Sequence, residues 1–178
     1  MVDFEECDDI LPVEEVFAMS MRTPTVYIET SVFNFVFADD APEGQRHTLA
    51  LFEEIRQGRY KPYTSEYVIR ELERAASPKR EEMLALIDQY NVTILPTSEE
   101  AERLARMYVA EGIIPARYVD DSRHIAMASV YGLAFIVSFN FKHIVKRTTV
   151  LMTESINLRE GYNRIGIYSP TEVIEHVE

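Results

Sequence analysis

The stretch "TVYIETSVFN" (residues 25–34) joins a short β-rich segment directly to polar side chains. Val26, Tyr27 and Ile28 favour an extended strand, and three such residues in a row indicate a central one. Glu29 ends this segment, and an ionised carboxylate is costly to remove from water unless a partner or a metal ion compensates. The sequence therefore leaves two alternatives for Glu29: a strand-end acid satisfied by nearby backbone N–H groups, or a functional group.

Short β-rich segments alternate with longer helical patterns from Thr25 onward. The predicted strands are 25–29, 60–64, 92–95, 134–138 and 165–168. The predicted helices are about 31–37, 44–58, 66–76, 79–90, 98–111, 121–131 and 170–177. This alternation is typical of βαβ units, so we expect an α/β fold, a three-layer α/β/α sandwich around a mostly parallel sheet of about five strands.

Local signals at the ends of these elements support the layout. Ser98 can cap the helix that follows it, and residues 169–172 ("SPTE") form a capping box with proline at the first helical position. Pro62 places the second strand at a sheet edge or puts the proline at a strand end. Glycines stand where three of the helices should stop, at Gly58, Gly112 and Gly132.

Length and composition are those of one soluble globular domain. The 178 residues are enough to bury a sizeable core, and the hydrophobic and charged fractions, 47% and 27%, are ordinary. The single cysteine, Cys7, permits no internal disulfide and fits a reducing compartment. No apolar run approaches the roughly 18–20 residues that span a bilayer, so we predict a cytoplasmic protein with no membrane partner.

The formal charge of −12 argues against a nucleic-acid partner, because phosphate binding favours basic surfaces. The charge is uneven, however, since residues 1–20 hold seven acids and no lysine or arginine. Without these seven, 23 acids remain against 18 bases, so the rest of the chain carries −5. We predict an acidic N-terminal arm over residues 1–22, flexible or docking, and one folded domain over residues 23–178.

Acidic and amide side chains follow the predicted strands and open a helix nearby. Ligands of open parallel sheets bind beyond the carboxyl ends of the strands, so these side chains are expected to face one cleft. Hard oxygen ligands suit Mg²⁺ or Mn²⁺, and such an ion can orient a phosphodiester and activate a water. The side chains are Glu29, Glu71, Asp120, Asp121 and Asn140, the last of which can coordinate through its carbonyl oxygen.

Each of these residues also has a structural explanation. Glu71 lies among other charged residues and suits an ordinary surface acid. Asp120 and Asp121 stand at a helix start, where capping and the helix dipole favour acids, and this explanation fits Asp120 better than Asp121. His124 lies one turn from Asp121 and could hydrogen-bond it. His143 is more typical of a local hydrogen bond than of a metal ligand.

Four segments together resemble PIN-domain proteins, particularly the VapC-like toxins of bacterial toxin–antitoxin pairs. They are "YIETSVFNF" (27–35), "SEYVIRELE" (65–73), "DDSRHIAMASVYGLAFIVSFNFKHI" (120–144) and "IYSPTEVI" (167–174). The resemblance spans roughly residues 25–175. It implies an α/β/α sandwich and a Mg²⁺- or Mn²⁺-dependent endoribonuclease, acting as the toxin of a type II pair. It also implies an RNA substrate and is consistent with an antitoxin partner and a homodimer.

The resemblance also implies roles for individual residues. The catalytic and metal-binding acids fall on Glu29, Glu71 and Asp121, with Asp120 as a supporting metal neighbour. The hydroxyls that follow the first acid and orient it are Thr30 and Ser31, and Asn140 stands where the family has a fourth acid. Side chains expected to contact RNA phosphates are Arg123, Lys142, His143 and Lys146.

Two departures from the family pattern bear on activity. Glu29 replaces an aspartate and is longer by one methylene, and Asn140 brings no charge where the family has an acid. Both changes should weaken metal binding before substrate arrives, so we expect one well-bound metal and slow turnover. A catalytically weak or inactive PIN-like binding or regulatory module is therefore the alternative function.

Overall fold

Strand β1 (Thr25–Ile28) lies in the middle of a five-stranded sheet in which every pair of neighbours is parallel. The structure, a computed structural model, describes residues 22–174. The other strands are β2 (Lys61–Ser65), β3 (Thr93–Leu95), β4 (Phe135–Val137) and β5 (Gly166–Tyr168). The order is β3-β2-β1-β4-β5, so the chain moves outward to β3 and then crosses to the other side of β1. The carboxyl ends of β1 and β4 therefore border the crevice where ligands of such sheets bind.

Eight α-helices and one 3₁₀ turn connect these strands within residues 22–174. The fold is a three-layer α/β/α sandwich, as predicted. No helix in the described range is long and apolar enough to cross a membrane. The helices are α1 (Thr30–Phe35), α2 (Pro42–Arg56), α3 (Glu66–Leu72), α4 (Lys79–Gln89), α5 (Glu99–Ala110), α6 (Val119–Val130), α7 (Arg147–Arg159) and α8 (Pro170–Val173), and the 3₁₀ turn is Ala116–Tyr118.

The centre of the sheet is fully dehydrated. Val26, Tyr27 and Ile28 are 0% exposed, which explains the continuous apolar run of β1. Pro62 occupies the second position of β2, opposite Val26. The ladder between β2 and β3 begins one residue later, so the missing N–H of Pro62 costs no sheet hydrogen bond at this strand end.

The helix-end signals are confirmed in the structure. The Ser98 hydroxyl accepts a hydrogen bond from Ala101 N at 3.1 Å, and Ser169 N donates to Glu172 Oε2 at 2.7 Å within the capping box. The glycines at helix ends have positive φ: 77° at Gly58, 77° at Gly112 and 61° at Gly132. The sites at which these helices start or stop are thus encoded locally.

Helix α7 is absent from the predicted elements. Its N-cap, Lys146, makes no side-chain capping bond, and its first turns hold the β-branched run 148–150, so neither capping nor propensity indicates a helix. Tertiary contacts stabilise it instead. Thr149 is buried and donates its hydroxyl to the backbone carbonyl of His143 at 2.8 Å.

A buried polar cluster joins α7 to α5 and α6. The Tyr108 hydroxyl donates to Asn157 Oδ1 and lies 3.1 Å from Ser129 Oγ, to which Asn157 Nδ2 donates at 2.9 Å. All three side chains are buried, and burial raises the pKa of Tyr108, so its hydroxyl stays neutral and able to donate. Every member has a partner, which is the condition for a buried polar group to stabilise a core.

Replacing Tyr108 with phenylalanine should destabilise the protein by about 1–3 kcal/mol, because Asn157 Oδ1 loses its donor inside the core. Tyr131→Phe is the matched control, since its hydroxyl donates to the Pro96 carbonyl at an exposed position. Urea denaturation should show a clearly smaller loss for the control. Equal losses in the two variants would contradict a stabilising role for the cluster.

Two predicted segments extend beyond the described residues. The acidic arm over residues 1–22 lies outside them except for Arg22, and it stays a prediction. The last predicted helix, 170–177, corresponds to α8 (Pro170–Val173), and residues 175–177 lie outside the described range.

Candidate metal centre

Three side chains from separate elements meet at the carboxyl edge of the sheet. Glu29 follows β1, Glu71 lies in α3 and His124 lies in α6. Each offers one ligand atom, and these atoms all lie within 4.8 Å of one another. Glu29 and His124 are buried and Glu71 is half-buried, so the group lies in a largely dehydrated position.

The two oxygens of Glu29 have different surroundings. Oε2 accepts hydrogen bonds from Ser31 N at 3.1 Å, from the Ser31 hydroxyl and from Ser138 Oγ at 2.8 Å. Through Ser31 N the side chain caps α1. Oε1 accepts no hydrogen bond from any residue between 22 and 174. Oε2 therefore has hydrogen-bond partners within the protein, as expected for a strand-end acid held by a nearby backbone N–H group. Oε1 is available to a ligand.

The serines that hold Glu29 also bind the chain after β4. Ser31 Oγ accepts from Phe139 N at 2.8 Å, and Ser138 Oγ accepts from Asn140 N at 2.9 Å. The backbone after β4 is therefore positioned by the same hydroxyls that contact Glu29. Ser31 therefore contacts Glu29, the acid that the resemblance expects it to orient.

Glu71 is held by contacts with both of its oxygens. The Thr30 hydroxyl donates to Oε2, and His124 Nε2 lies 3.3 Å from Oε1. Burial by itself would raise the pKa of Glu71, but the hydrogen bond and charge of His124, with smaller contributions from Thr30 and Arg74, lower it below the ordinary value. The lowered pKa favours the ionised form of Glu71. The Thr30 hydroxyl contacts Glu71 and not Glu29, the acid that it was expected to orient.

His124 is fixed at both ring nitrogens. Its Nδ1 lies 3.0 Å from the Tyr27 hydroxyl, which in turn lies 2.6 Å from Ser65 Oγ, and its Nε2 faces Glu71. Burial by itself would lower the pKa of His124, but hydrogen bonding and charge from Glu71, with Glu29 and Asp121, raise it above its ordinary value. His124 therefore contacts Glu71 and Tyr27, and not Asp121 as the one-turn spacing suggested.

Asp121 lies beside this group without belonging to the set of atoms within 4.8 Å. Its Oδ2 is buried and has no hydrogen-bond partner among residues 22–174. Burial raises the pKa of Asp121, the Glu29 charge adds to this, and Asn140, His124 and His143 counteract it. A buried carboxylate oxygen without a partner is costly, and a cation would satisfy it.

Asp120 and Arg123, both predicted to serve the site, contact each other. Arg123 Nη1 lies 2.5 Å from Asp120 Oδ1, and Arg123 Nε donates to Glu102 Oε1 at 2.6 Å. Asp120 is exposed and pairs with Arg123, which also pairs with Glu102. Neither the metal role of Asp120 nor the RNA role of Arg123 is tested by these contacts, but both side chains are engaged elsewhere.

The remaining predicted residues lie in the loop between β4 and α7 (residues 138–146). Asn140 Oδ1 accepts from His143 N at 3.0 Å, so the carbonyl expected to coordinate a metal is occupied by a backbone N–H. His143 Nε2 is buried and has no partner among residues 22–174. Lys142 and Lys146 are exposed.

Sequence reasoning missed the contribution of His124 and Tyr27 to the centre, although a signal for each was present. His124 follows Asp121 by three residues, so both lie on one face of a helix. Tyr27 precedes Glu29 by two residues, so both lie on one face of the sheet. These spacings indicate which residues share a face of a helix or of the sheet, but they do not indicate that His124 contacts Tyr27 and Glu71.

Comparison with known proteins adds no family assignment. No protein-family model matches the chain, and no curated protein matches it significantly. The PIN-like resemblance therefore rests on the quoted motifs alone.

The donor set fits a divalent cation. Two carboxylates and an imidazole combine oxygen ligands, which Mg²⁺ and Mn²⁺ prefer, with a nitrogen ligand that favours transition metals such as Mn²⁺ over Mg²⁺. The free oxygen of Glu29 and the unpartnered oxygen of Asp121 are further positions that a cation would satisfy. The structure thus supports a cation site without identifying the ion.

Adding Mn²⁺ should raise the midpoint of thermal unfolding, because a ligand of the folded state at about 100 times its Kd stabilises by about 2.7 kcal/mol. For a chain of this size that corresponds to roughly 5–10 °C. Glu29→Gln and Glu71→Gln should abolish the shift, and Glu82→Gln, an exposed acid of α4, should retain it. A shift that survives in all three variants would place the cation elsewhere.

The Mn²⁺-dependent shift should grow as the pH rises through the raised pKa of His124. A proton on His124, whose pKa is raised, opposes a cation beside it, so losing that proton favours the cation. Without metal, the raised pKa of His124 makes its protonated form stabilise the folded protein. This contribution to the free energy of unfolding is fully present below the ordinary pKa of histidine, and it is lost as the pH rises through the raised pKa of His124. A shift that does not change with pH would argue against a cation at this group.

Proposed function

We propose that the protein is a divalent-metal-dependent ribonuclease that hydrolyses RNA phosphodiester bonds and uses Mg²⁺ or Mn²⁺. The observation that supports this proposal best is the meeting of Glu29, Glu71 and His124 at the carboxyl edge of the sheet, beside an unpartnered oxygen of Asp121. A bound divalent cation there would supply a Lewis acid for the phosphate and lower the pKa of an attacking water.

The chain's own residues have distinct parts in this proposal. Glu29 and Glu71 hold the cation, and Asp121 contributes the oxygen that lacks a partner. Thr30, which donates a hydrogen bond to Glu71, would orient that acid, and Ser31, which donates to Glu29 Oε2, would hold Glu29. His124, held by Tyr27, positions Glu71 and balances the charge of the acids before the cation binds.

The loop after β4 supports a single well-bound cation rather than a pair. Asn140 carries no charge, and its carbonyl oxygen accepts from His143 N, so no fourth carboxylate completes a second site there. Phosphate oxygens of the substrate would complete the coordination shell. Slow turnover is expected for the same reason.

A binding or regulatory module is the second candidate function. Both oxygens of Glu71 and one oxygen of Glu29 already have hydrogen-bond partners, so part of the cluster is stable without a cation. Such a module would bind RNA or another partner without cleaving it. An antitoxin partner and a homodimer remain predictions from the resemblance.

Cleavage of a mixed RNA panel with Mn²⁺, and with EDTA as the metal-free control, tests the proposal. Asp121→Asn and Asp120→Asn form a matched pair of adjacent residues, one beside the cluster and one in an exposed ion pair. We expect Asp121→Asn, Glu29→Gln and Glu71→Gln to lose more than the roughly 10- to 100-fold that removing an outer partner of a metal costs. Asp120→Asn should stay close to the unmodified protein.

The outcomes separate the two candidate functions. Metal-dependent cleavage that disappears in the three cluster variants would support the nuclease. RNA binding with no cleavage under any of these conditions would favour the binding module. Cleavage that is unaffected by all three substitutions would show that the activity belongs to another site or to a contaminant.

A further inference from the structure

Helix α7 carries an apolar strip that the rest of the described protein leaves exposed. Leu151, Met152 and Leu158 are 56%, 38% and 51% exposed, while Ile156 and Asn157 of the same helix are buried. Positions 151 and 158 are seven residues apart, so their side chains lie on the same side of the helix, two turns from each other. Grouped apolar side chains on a surface favour a segment that covers them.

The N-terminal end of α7 presents positive charge instead. Lys146 and Arg147 are exposed, and neither has a carboxylate within ion-pair distance among residues 22–174. Arg159, at the C-terminal end, does have an acidic partner, since its Nη2 lies 2.9 Å from Glu111 Oε1. The surface of α7 is therefore apolar over its middle and C-terminal turns and positive at its N-terminal end.

The described chain begins at the edge of the sheet to which α7 runs. Ala134 N donates to Thr25 Oγ1 at 2.9 Å, and Gly166 N donates to the Ala134 carbonyl at 2.9 Å. The starts of β1, β4 and β5 therefore lie side by side, and α7 is joined to β5 by residues 160–165. Residues 1–21 connect to β1 at this same edge, near the C-terminal end of α7.

The residues before β1 carry complementary chemistry in the corresponding order. From β1 toward the N-terminus, the mostly apolar segment 10–19 ("ILPVEEVFAM") comes first, and the acidic segment 3–9 ("DFEECDD") follows. Along α7 from the same edge, the apolar strip comes first and the cations follow. At about 3.3 Å per residue, residues 10–21 extend for up to about 40 Å, whereas the 13-residue α7 is about 20 Å long, so the acids can reach its N-terminal end.

We propose that residues 3–19 lie along α7, with residues 10–19 on the apolar strip and the acids of residues 3–9 beside Lys146 and Arg147. This arrangement removes apolar surface from water and brings opposite charges together. A segment of the same chain is present at a high local concentration, so it competes well with a second molecule for this surface. The inference does not depend on the proposed function.

A tryptophan reporter in the arm tests the apolar contact, because the chain contains no tryptophan. Fluorescence of the Phe17→Trp protein should be quenched by acrylamide several times less than in the same protein unfolded in urea, because packing excludes the quencher. Adding Leu151→Ser and Leu158→Ser should remove this protection. Adding Leu49→Ser should retain it, because Leu49 is 48% exposed on α2, which packs on α1 and α8.

The single cysteine, Cys7, tests the position of the acidic segment. A disulfide requires Cα atoms about 4.4–6.8 Å apart, so under mild oxidation Cys7 should cross-link within one chain to a cysteine at the exposed position Thr148→Cys, beside Arg147. Glu82→Cys, at an exposed position of α4, is the matched control and should give a much lower yield. High salt should lower the yield with Thr148→Cys, because salt screens exposed charges.

Protection of Phe17→Trp that does not change with protein concentration, and that only the α7 substitutions remove, would support the inference. Quenching equal to that of the unfolded chain, or equal cross-link yields from Thr148→Cys and Glu82→Cys, would overturn it. Protection that appears only when the protein concentration is raised about a hundredfold would also overturn it, because the strip would then be covered by a second copy of the chain.

Discussion

The buried carboxylate of Glu29 is the constraint on which the centre depends. Burying an ionised carboxylate costs several kcal/mol unless hydrogen bonds or a cation compensate. Ser31 and Ser138 supply those bonds to one of its oxygens, and the same serines bind backbone N–H groups of the chain after β4. One charged group at the end of the central strand thus joins β1, α1 and the loop after β4.

Charge balance explains how three acids can lie close together. His124 is buried between Tyr27 and Glu71, and the acids around it raise its pKa, which favours its charged form beside the carboxylates. Asp121 Oδ2 is buried without a hydrogen-bond partner among residues 22–174, and Glu29 accepts its hydrogen bonds there through Oε2 alone. Hydrogen bonds and His124 therefore compensate part of the cluster's negative charge, and Asp121 Oδ2 is a position that a cation would satisfy.

Much of the fold and part of the candidate site could be predicted, because their signals are local. The five strands lie within one residue of their predicted starts, and Glu29 and Glu71 do meet. Helix α7 was missed because its start has no capping residue, and the partners of His124 were missed because Tyr27 and Glu71 are far from it in the sequence.

The sequence by itself determined the alternation of strands and helices, the helix ends and the acids at the strand ends, since periodicity, caps and turn residues act over a few positions. Tertiary structure decided which acids meet. Asp120 and Asp121 are neighbours in the chain, but successive residues of a helix point about 100° apart. The packing of α6 therefore leaves Asp120 exposed with Arg123 and puts Asp121 near Glu29.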